Sequence, residues 1–291
     1  MTVFLNGRTL PLEDAKVSVL DRGFIFGDGV YELVPVYSRV PFRLDEHLAR
    51  LERSLGEAKI RNPHSRAQWR SHIHRLIDAQ PFDDQGVYFQ VTRGVAKRDH
   101  AFPGGVEPTV FMMSNPLVNP PQAQVERGGS AVSAQDNRWL RCDIKSISLI
   151  GNVLLRQLSA EADAAETILF RDGKLTEASA SNVFIVRRGV IFSPPKSNLI
   201  LAGITYDVIA ELARADNLPL EFKSIGEDEV RSADEIWVTS SSKEVFPIVS
   251  LDGKQVGDGK PGPVFRRMYR LYQEFKQKVM RSGKREAVSA A

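Results

Sequence analysis

A single cysteine, Cys142, stands among 291 residues. No disulfide can form within the chain, so its core must hold it, and such cysteine usage fits a reducing cytoplasm. No apolar run approaches the ~18 residues that a membrane span needs. The start, Met1-Thr2-Val3-Phe4, lacks the basic stretch and apolar core of a signal peptide. A net charge of +3 is too small for a nucleic-acid surface. No internal repeat is visible, which sets aside repeat architectures. What remains is an ordinary globular composition, 42% hydrophobic and 26% charged, with enough chain for a sizeable core in one large domain or two smaller ones. Much of the positive excess gathers at Lys276, Lys278, Arg281, Lys284 and Arg285, which reads as a solvated helix end. The tail past about residue 283 is expected to fray.

Residues 2–43 read mainly as strands. Val3-Phe4-Leu5 runs into Asn6-Gly7, a strong hairpin signal. Val30 to Tyr37 is rich in β-branched and aromatic residues. Ahead of it lie three glycines in seven residues, Gly23, Gly27 and Gly29, where the backbone must bend tightly or approach something closely. Leu44, Leu48, Leu51 and Leu55 recur at helical spacing, with His47 and Arg50 on a neighbouring face. Trp69, Ile73 and Leu76 mark a second helix. His72 and His74, two apart on it, point different ways and make a poor metal site. Strands are expected at 86–94 and 109–113. Three prolines in six residues, Pro116, Pro120 and Pro121, mark a linker at 119–123 between a first domain, 1–118, and a second, 124–291. In the second, helices are expected at 152–164 and 203–215, strands at 166–170, 182–186 and 235–239, and a terminal helix with Phe265, Met268, Leu271, Tyr272 and Phe275 on its apolar face.

Chemistry concentrates in four places. Arg138, Arg141 and Lys145 lie within eight residues. Neighbouring positive charge and burial both disfavour an ammonium, and a lysine that gives up its proton is a free amine able to attack an aldehyde. Leu201-Ala202-Gly203-Ile204-Thr205 opens a helix, whose N-terminus presents free N–H groups to an anion. Thr239-Ser240-Ser241-Ser242 offers four hydroxyls in a row, and Glu177 is a carboxylate set before a small polar turn. Taken singly, each is as readily a solvated lysine, a capped helix, a polar loop or a surface charge. Together, lysine, carboxylate and phosphate handle are what pyridoxal phosphate requires.

These stretches resemble the fold-type IV pyridoxal-phosphate aminotransferases, and among them the D-amino-acid aminotransferases, from about residue 2 to about 275. The resemblance rests on Gly27 to Glu32, His47 with Arg50, Tyr88 to Gly94, Arg138 to Ser146, Thr176 to Phe184 and Leu201 to Thr205. It implies a two-domain α/β (α+β) fold, a small α/β domain plus a larger mixed-sheet domain, with the cofactor in the cleft between them. By the same resemblance, Lys145 forms the internal aldimine (a Schiff base) and moves the proton, and Glu177 holds the ring nitrogen. Arg50, the Ile204 N–H, Thr205 and Ser241, with Ser240 beside it, form the phosphate cup, and Leu201 packs on the ring. Tyr31, Arg98 and His100 trap the substrate carboxylate, the last two reaching in from the partner of a homodimer. The implied activity is transfer of an amino group between a D-amino acid, D-alanine-like, and a 2-oxo acid such as 2-oxoglutarate or pyruvate. Alanine at 178 and 180, where some members carry glycine and serine, touches the fine tuning of the ring. A branched-chain L-aminotransferase or an aminodeoxychorismate lyase would share the fold. Arg98 and His100 argue against the first. A cofactor-binding module without turnover would have to keep Lys145, Glu177 and the trap with no use for them.

Overall fold

The structure, a computed structural model, describes residues 1–282. The expected frayed tail, with Lys284 and Arg285, lies outside the described residues. Two compact units divide the chain. Unit 1 holds Met1–Leu117, Ile144–Leu149 and residues 279–282; unit 2 holds Val118–Asp143 and Ile150–Lys278.

In unit 1, β1 (Thr2–Leu5), β2 (Arg8–Pro11), α1 (Arg22–Phe26), β3 (Gly29–Tyr37), β4 (Val40–Pro41), α2 (Leu44–Glu57), α3 (Arg66–Asp78), β5 (Gln85–Thr92) and β6 (Thr109–Pro116) follow in order. The six strands form one antiparallel sheet, ordered β2-β1-β6-β5-β3-β4. Asn6 and Gly7 both have positive φ, 47° and 85°, as the two-residue hairpin turn demands. The α2 stripe Leu44, Leu48, Leu51 and Leu55 and the α3 stripe Trp69, Ile73 and Leu76 share one core with Val30, Val34, Val87, Phe89 and Met112 of the sheet. Each such side chain, fully buried, contributes roughly 1.5–3 kcal/mol.

Strand β4 pairs only with Val36 and Tyr37. The other end of that β3 edge is therefore open, and Ile144–Leu149 takes it. The Tyr31 N–H donates to the Lys145 carbonyl at 2.9 Å, the Ile147 N–H donates to the Gly29 carbonyl at 3.0 Å, and Ser146 bridges Val30. This segment, assigned to the second domain from sequence, thus packs with the first.

Unit 2 contains α4 (Gln122–Arg127), β7 (Gly129–Gln135), α5 (Ile150–Glu161), β8 (Glu166–Arg171), β9 (Lys174–Ala178), β10 (Asn182–Arg187), β11 (Val190–Ser193), α6 (Ile204–Ala215), β12 (Leu220–Phe222), α7 (Glu227–Arg231), β13 (Glu235–Ser240), β14 (Glu244–Leu251), β15 (Lys254–Gln255) and α8 (Pro263–Phe275). Its sheet runs β12-β11-β10-β13-β14-β7-β8-β9, with β15 on β14. Pairs β14–β7, β7–β8 and β11–β12 are parallel and the rest antiparallel. Helix α4 already begins at Gln122, inside the expected linker.

The basic end is solvated as expected at Lys278 but not at Lys276 or Arg281. Lys276 is buried and pairs with buried Glu244 at 2.5 Å. Arg281 forks onto the Asp84 carboxylate. Both cations follow an apolar helix face, and a charge carried inward that way persists only when paired.

Candidate active site

Unit 1 carries Lys145, Tyr31, Arg50, Arg98 and His100. Lys145 is fixed through its backbone: its carbonyl accepts from Tyr31, and its N–H donates to the Ser54 hydroxyl of α2 at 3.3 Å. Its ammonium stands 4.1 Å from the centre of the Tyr31 ring. Among the described residues, no carboxylate pairs with it.

Arg50 and His47 meet on a carboxylate that the sequence pattern did not single out. Alternation along β3 puts Glu32 on the core face with Val30 and Val34, where it is fully buried. Arg50 Nε and Nη2 donate to its two oxygens at 2.7 and 2.9 Å, and His47 Nδ1 lies 2.8 Å from Oε2. Burial alone would push the Glu32 carboxyl up; Arg50 and His47 overcome it and hold it well below the usual carboxylate range. Burial also lowers the pKa of His47, against the pull of Glu32, which favours the neutral imidazole at neutral pH. Nδ1–H then donates to Glu32, and Nε2 is a buried acceptor without a partner among the described residues.

The glycine-rich stretch has a structural role. Asp21 caps α1, and Gly27 ends it at φ 65°. Arg22 and Arg93 both donate to the Asp28 carboxylate, at 2.7 and 2.8 Å from Nε. The Arg22 guanidinium also donates to the carbonyls of Asp99 (2.5 Å), Ala101 and His100. This buried frame holds the loop bearing Arg98 and His100. Both side chains are exposed in the single chain and flank Phe26: the Arg98 guanidinium carbon is 5.3 Å from its ring centre and the His100 ring 5.4 Å.

Unit 2 carries Glu177, Leu201, Ile204, Thr205, Ser240 and Ser241. Glu177 lies near the end of β9, a strand not among those expected from the sequence pattern. It accepts from Arg138 Nη1 at 2.7 Å, from the Leu201 N–H at 3.1 Å and from Asn182 Nδ2 at 3.3 Å. Arg138 is itself held by Asp136, and Arg141 by Asp143, so both arginines of the basic cluster are paired. Asn182 also donates to the Leu201 carbonyl at 2.9 Å. A Cβ on Gly203 would fall 2.3 Å from the Asn182 side-chain oxygen, so any larger residue there must displace the Asn182 amide from its place beside Glu177 and Leu201. Beyond it, α6 starts with no side-chain cap, and Ile204 and Thr205 are buried there. The free N–H groups of an uncapped helix start suit an anion. Ser240 Oγ accepts from the Lys243 N–H at 3.1 Å.

A family model described as amino-transferase class IV matches residues 29–251. The chain belongs to the class IV aminotransferases. A D-alanine aminotransferase of Bacillus licheniformis is 43% identical over 91% of this class IV chain and 93% of its own length. One from Staphylococcus aureus (strain MW2) is 39% identical over 94% and 97%. Among solved structures, the branched-chain aminotransferase of Escherichia coli superimposes with a TM-score of 0.88 at 24% identity, over 99% of this chain and 97% of that one. The Thermoproteus uzoniensis enzyme with norvaline gives 0.86 at 26%, over 94% of each chain.

Within this aminotransferase, burial pushes the Glu177 carboxyl up to about 7, more than Arg138 and the Leu201 N–H pull it back. Its folded pKa lies above the unfolded value of 4.5, so the folded chain keeps the proton longer. That stabilising contribution is present below about pH 4.5 and lost as pH rises through about 7, where each tenfold difference in proton affinity is worth about 1.4 kcal/mol. Cofactor-free wild type should thus lose stability relative to Glu177→Gln between about pH 4.5 and 7. Urea denaturation at about pH 5 and about pH 8 measures this; parallel behaviour of the two proteins would return the carboxyl to its ordinary range.

Proposed function

We propose that this chain is a D-amino-acid transaminase that reversibly moves an amino group between a D-alanine-like amino acid and a 2-oxo acid. Its cofactor is pyridoxal phosphate. The observation that carries this reading is 43% identity, over nearly the whole of both chains, to a protein named D-alanine aminotransferase. The site chemistry suits the cofactor: a lysine without a carboxylate partner among the described residues, a buried carboxylate, and an uncapped helix start whose first residues, Ile204 and Thr205, are buried.

When bound, pyridoxal phosphate supplies an aldehyde and an electron-withdrawing ring. Lys145 is assigned to the aldehyde and to carrying the proton at the substrate Cα. Glu177, oriented by Arg138 and Asn182, is assigned to the ring nitrogen. The N–H of Ile204, the hydroxyls of Thr205, Ser240 and Ser241, and Arg50 are assigned to the phosphate; Leu201 packs on the ring. Tyr31, Arg98 and His100 are assigned to the substrate carboxylate. We assign Arg98 and His100 to the partner's site in a homodimer. The exposure of both, and of Phe24 and Phe102 in the same unit, supports that reading. The lone buried Cys142 fits the cytoplasm, and no described helix is long and apolar enough to cross a membrane.

Steady-state assays of D-alanine with 2-oxoglutarate, followed as pyruvate, test the reading. Parallel-line, ping-pong kinetics are expected. Turnover of L-leucine but not D-alanine would put the branched-chain activity in its place.

Arg50 is separable from the fold by a conservative change. Alanine would strand Glu32 in the core, which costs several kcal/mol. Arg50→Lys keeps a cation for Glu32 and loses the planar fork. It should keep the melting temperature within a few degrees while cofactor leaves at least about tenfold faster on dialysis. Equal retention would confine Arg50 to pairing Glu32.

A further inference from the structure

Glu166 opens β8 with no exposed surface. A buried carboxylate is tolerable only when donors satisfy it. Its Oε1 accepts from the Ser179 hydroxyl and from the Thr167 N–H at 3.1 Å. Its Oε2 accepts from the Ser181 hydroxyl at 2.8 Å and from Lys243 Nζ at 2.6 Å. Lys243 Nζ also donates to the Ala165 carbonyl at 2.8 Å, and the Lys243 backbone N–H donates to Ser240 Oγ.

One carboxylate therefore ties two loops. The 179–181 turn follows Glu177 and precedes Asn182, and the 240–243 loop bears Ser240 and Ser241. The turn is stiffened further: the Ser179 carbonyl accepts from Asn152 Nδ2 at 2.8 Å, and the Ala178 N–H donates to the Ser181 carbonyl at 2.7 Å. Lys243 carries the connection from this anchor to the 240–243 loop through its side chain. A cavity of about 500 Å³, walled in part by Arg127, Ser130, Arg156 and Lys243, lies on this side of the unit. Lys243 keeps 24% of its side chain exposed, so its ammonium pairs with Glu166 without being wholly stripped of water.

We infer that Glu166 and Lys243 are positioning residues that hold the Ser240-Ser241 hydroxyls in place to receive the phosphate of pyridoxal phosphate. The inference rests on the proposed assignment of that loop to the phosphate. Neither residue is assigned a contact with cofactor or substrate; their effect passes through the loop. Rigid support of this kind matters because a binding group displaced by about 1 Å loses much of its effect.

The test compares pyridoxal phosphate with pyridoxal, which lacks the phosphate, by equilibrium binding to protein freed of cofactor. Lys243→Met keeps the aliphatic stem and removes the ammonium. Glu166→Gln keeps partners for the two serines and removes the charge. Each should weaken pyridoxal phosphate at least about tenfold and pyridoxal less than about twofold, and Lys243→Arg should restore the phosphate selectivity. Equal weakening of both ligands, or of neither, overturns the inference. Should a single variant leave a buried charge that prevents folding, the Glu166→Gln/Lys243→Met double variant removes both charges together, and the same ratio is read. Borohydride fixation of wild type is run alongside. Label at Lys145 with an unchanged selectivity ratio sinks the positioning role alone; label elsewhere sinks the functional reading.

Discussion

Lys145→Ala should lose nearly all transamination, at least about a thousandfold, because one side chain is assigned both the covalent attachment and the proton transfer. The fold should survive. Lys145 is held through its carbonyl and N–H, by Tyr31 and Ser54, and alanine keeps both contacts. Among the described residues, the side chain's contact is the one above the Tyr31 ring, and its charge also acts on His47, so alanine gives up little that the fold depends on. Circular dichroism and melting temperature should therefore resemble wild type, and cofactor should bind without covalent attachment. In wild type, borohydride should fix the cofactor to the single peptide that contains Lys145. Fixation to another lysine, or substantial turnover by Lys145→Ala, would remove Lys145 from the chemistry.

The second large effect concerns the substrate carboxylate. Arg98 presents a planar fork that matches a carboxylate in two parallel hydrogen bonds. Its loop does not rest on its own contacts: Arg22, pinned by Asp28, donates to three successive carbonyls, at 99, 100 and 101, and Phe26 backs both Arg98 and His100. Arg98→Ala removes the fork and leaves that frame intact. A hydrogen bond to a charged group is worth about 1.5–3 kcal/mol, so kcat/KM should fall roughly ten- to a hundredfold. The factor should be similar for every D-substrate, since the lost contact is to a group they share. Kinetics with D-alanine, D-glutamate and D-leucine measure it. A loss confined to one side-chain type would mean that Arg98 reads the side chain instead.

Local patterns in the chain were legible where a single period or turn decides the outcome. Leu44, Leu48, Leu51 and Leu55 could face only one way on a helix, and Asn6-Gly7 could hardly be other than a hairpin. The class IV family was legible because its motifs are spread along the chain in order. The remainder depends on pairing between distant residues. Glu32 reads as a polar interruption of β3 until α2 brings His47 and Arg50 onto it. Lys276 and Arg281 read as surface charge because Glu244 and Asp84, their partners, lie 32 and 197 residues away. The open edge of β3 that takes Lys145 cannot be found without knowing how little of it β4 covers. Asn182 carries no motif of its own, yet it links Glu177 to the approach to α6; the glycine at 203 was the available signal.

Transamination of a D-amino acid is the central claim, and a single half-reaction tests it most directly. Purified enzyme carrying its cofactor is mixed with D-alanine or L-alanine, without any 2-oxo acid, and the loss of the bound cofactor's absorbance is followed. With amine and carboxylate both pinned, one hand alone presents its Cα–H to Lys145, and a displacement of about 1 Å can cost around a hundredfold. The absorbance should therefore fall at least about a hundredfold faster with D-alanine, and pyruvate should appear one for one with the cofactor consumed. Equal rates for the two alanines, or a faster rate with the L form, would contradict the account and favour a branched-chain L-aminotransferase on the same fold.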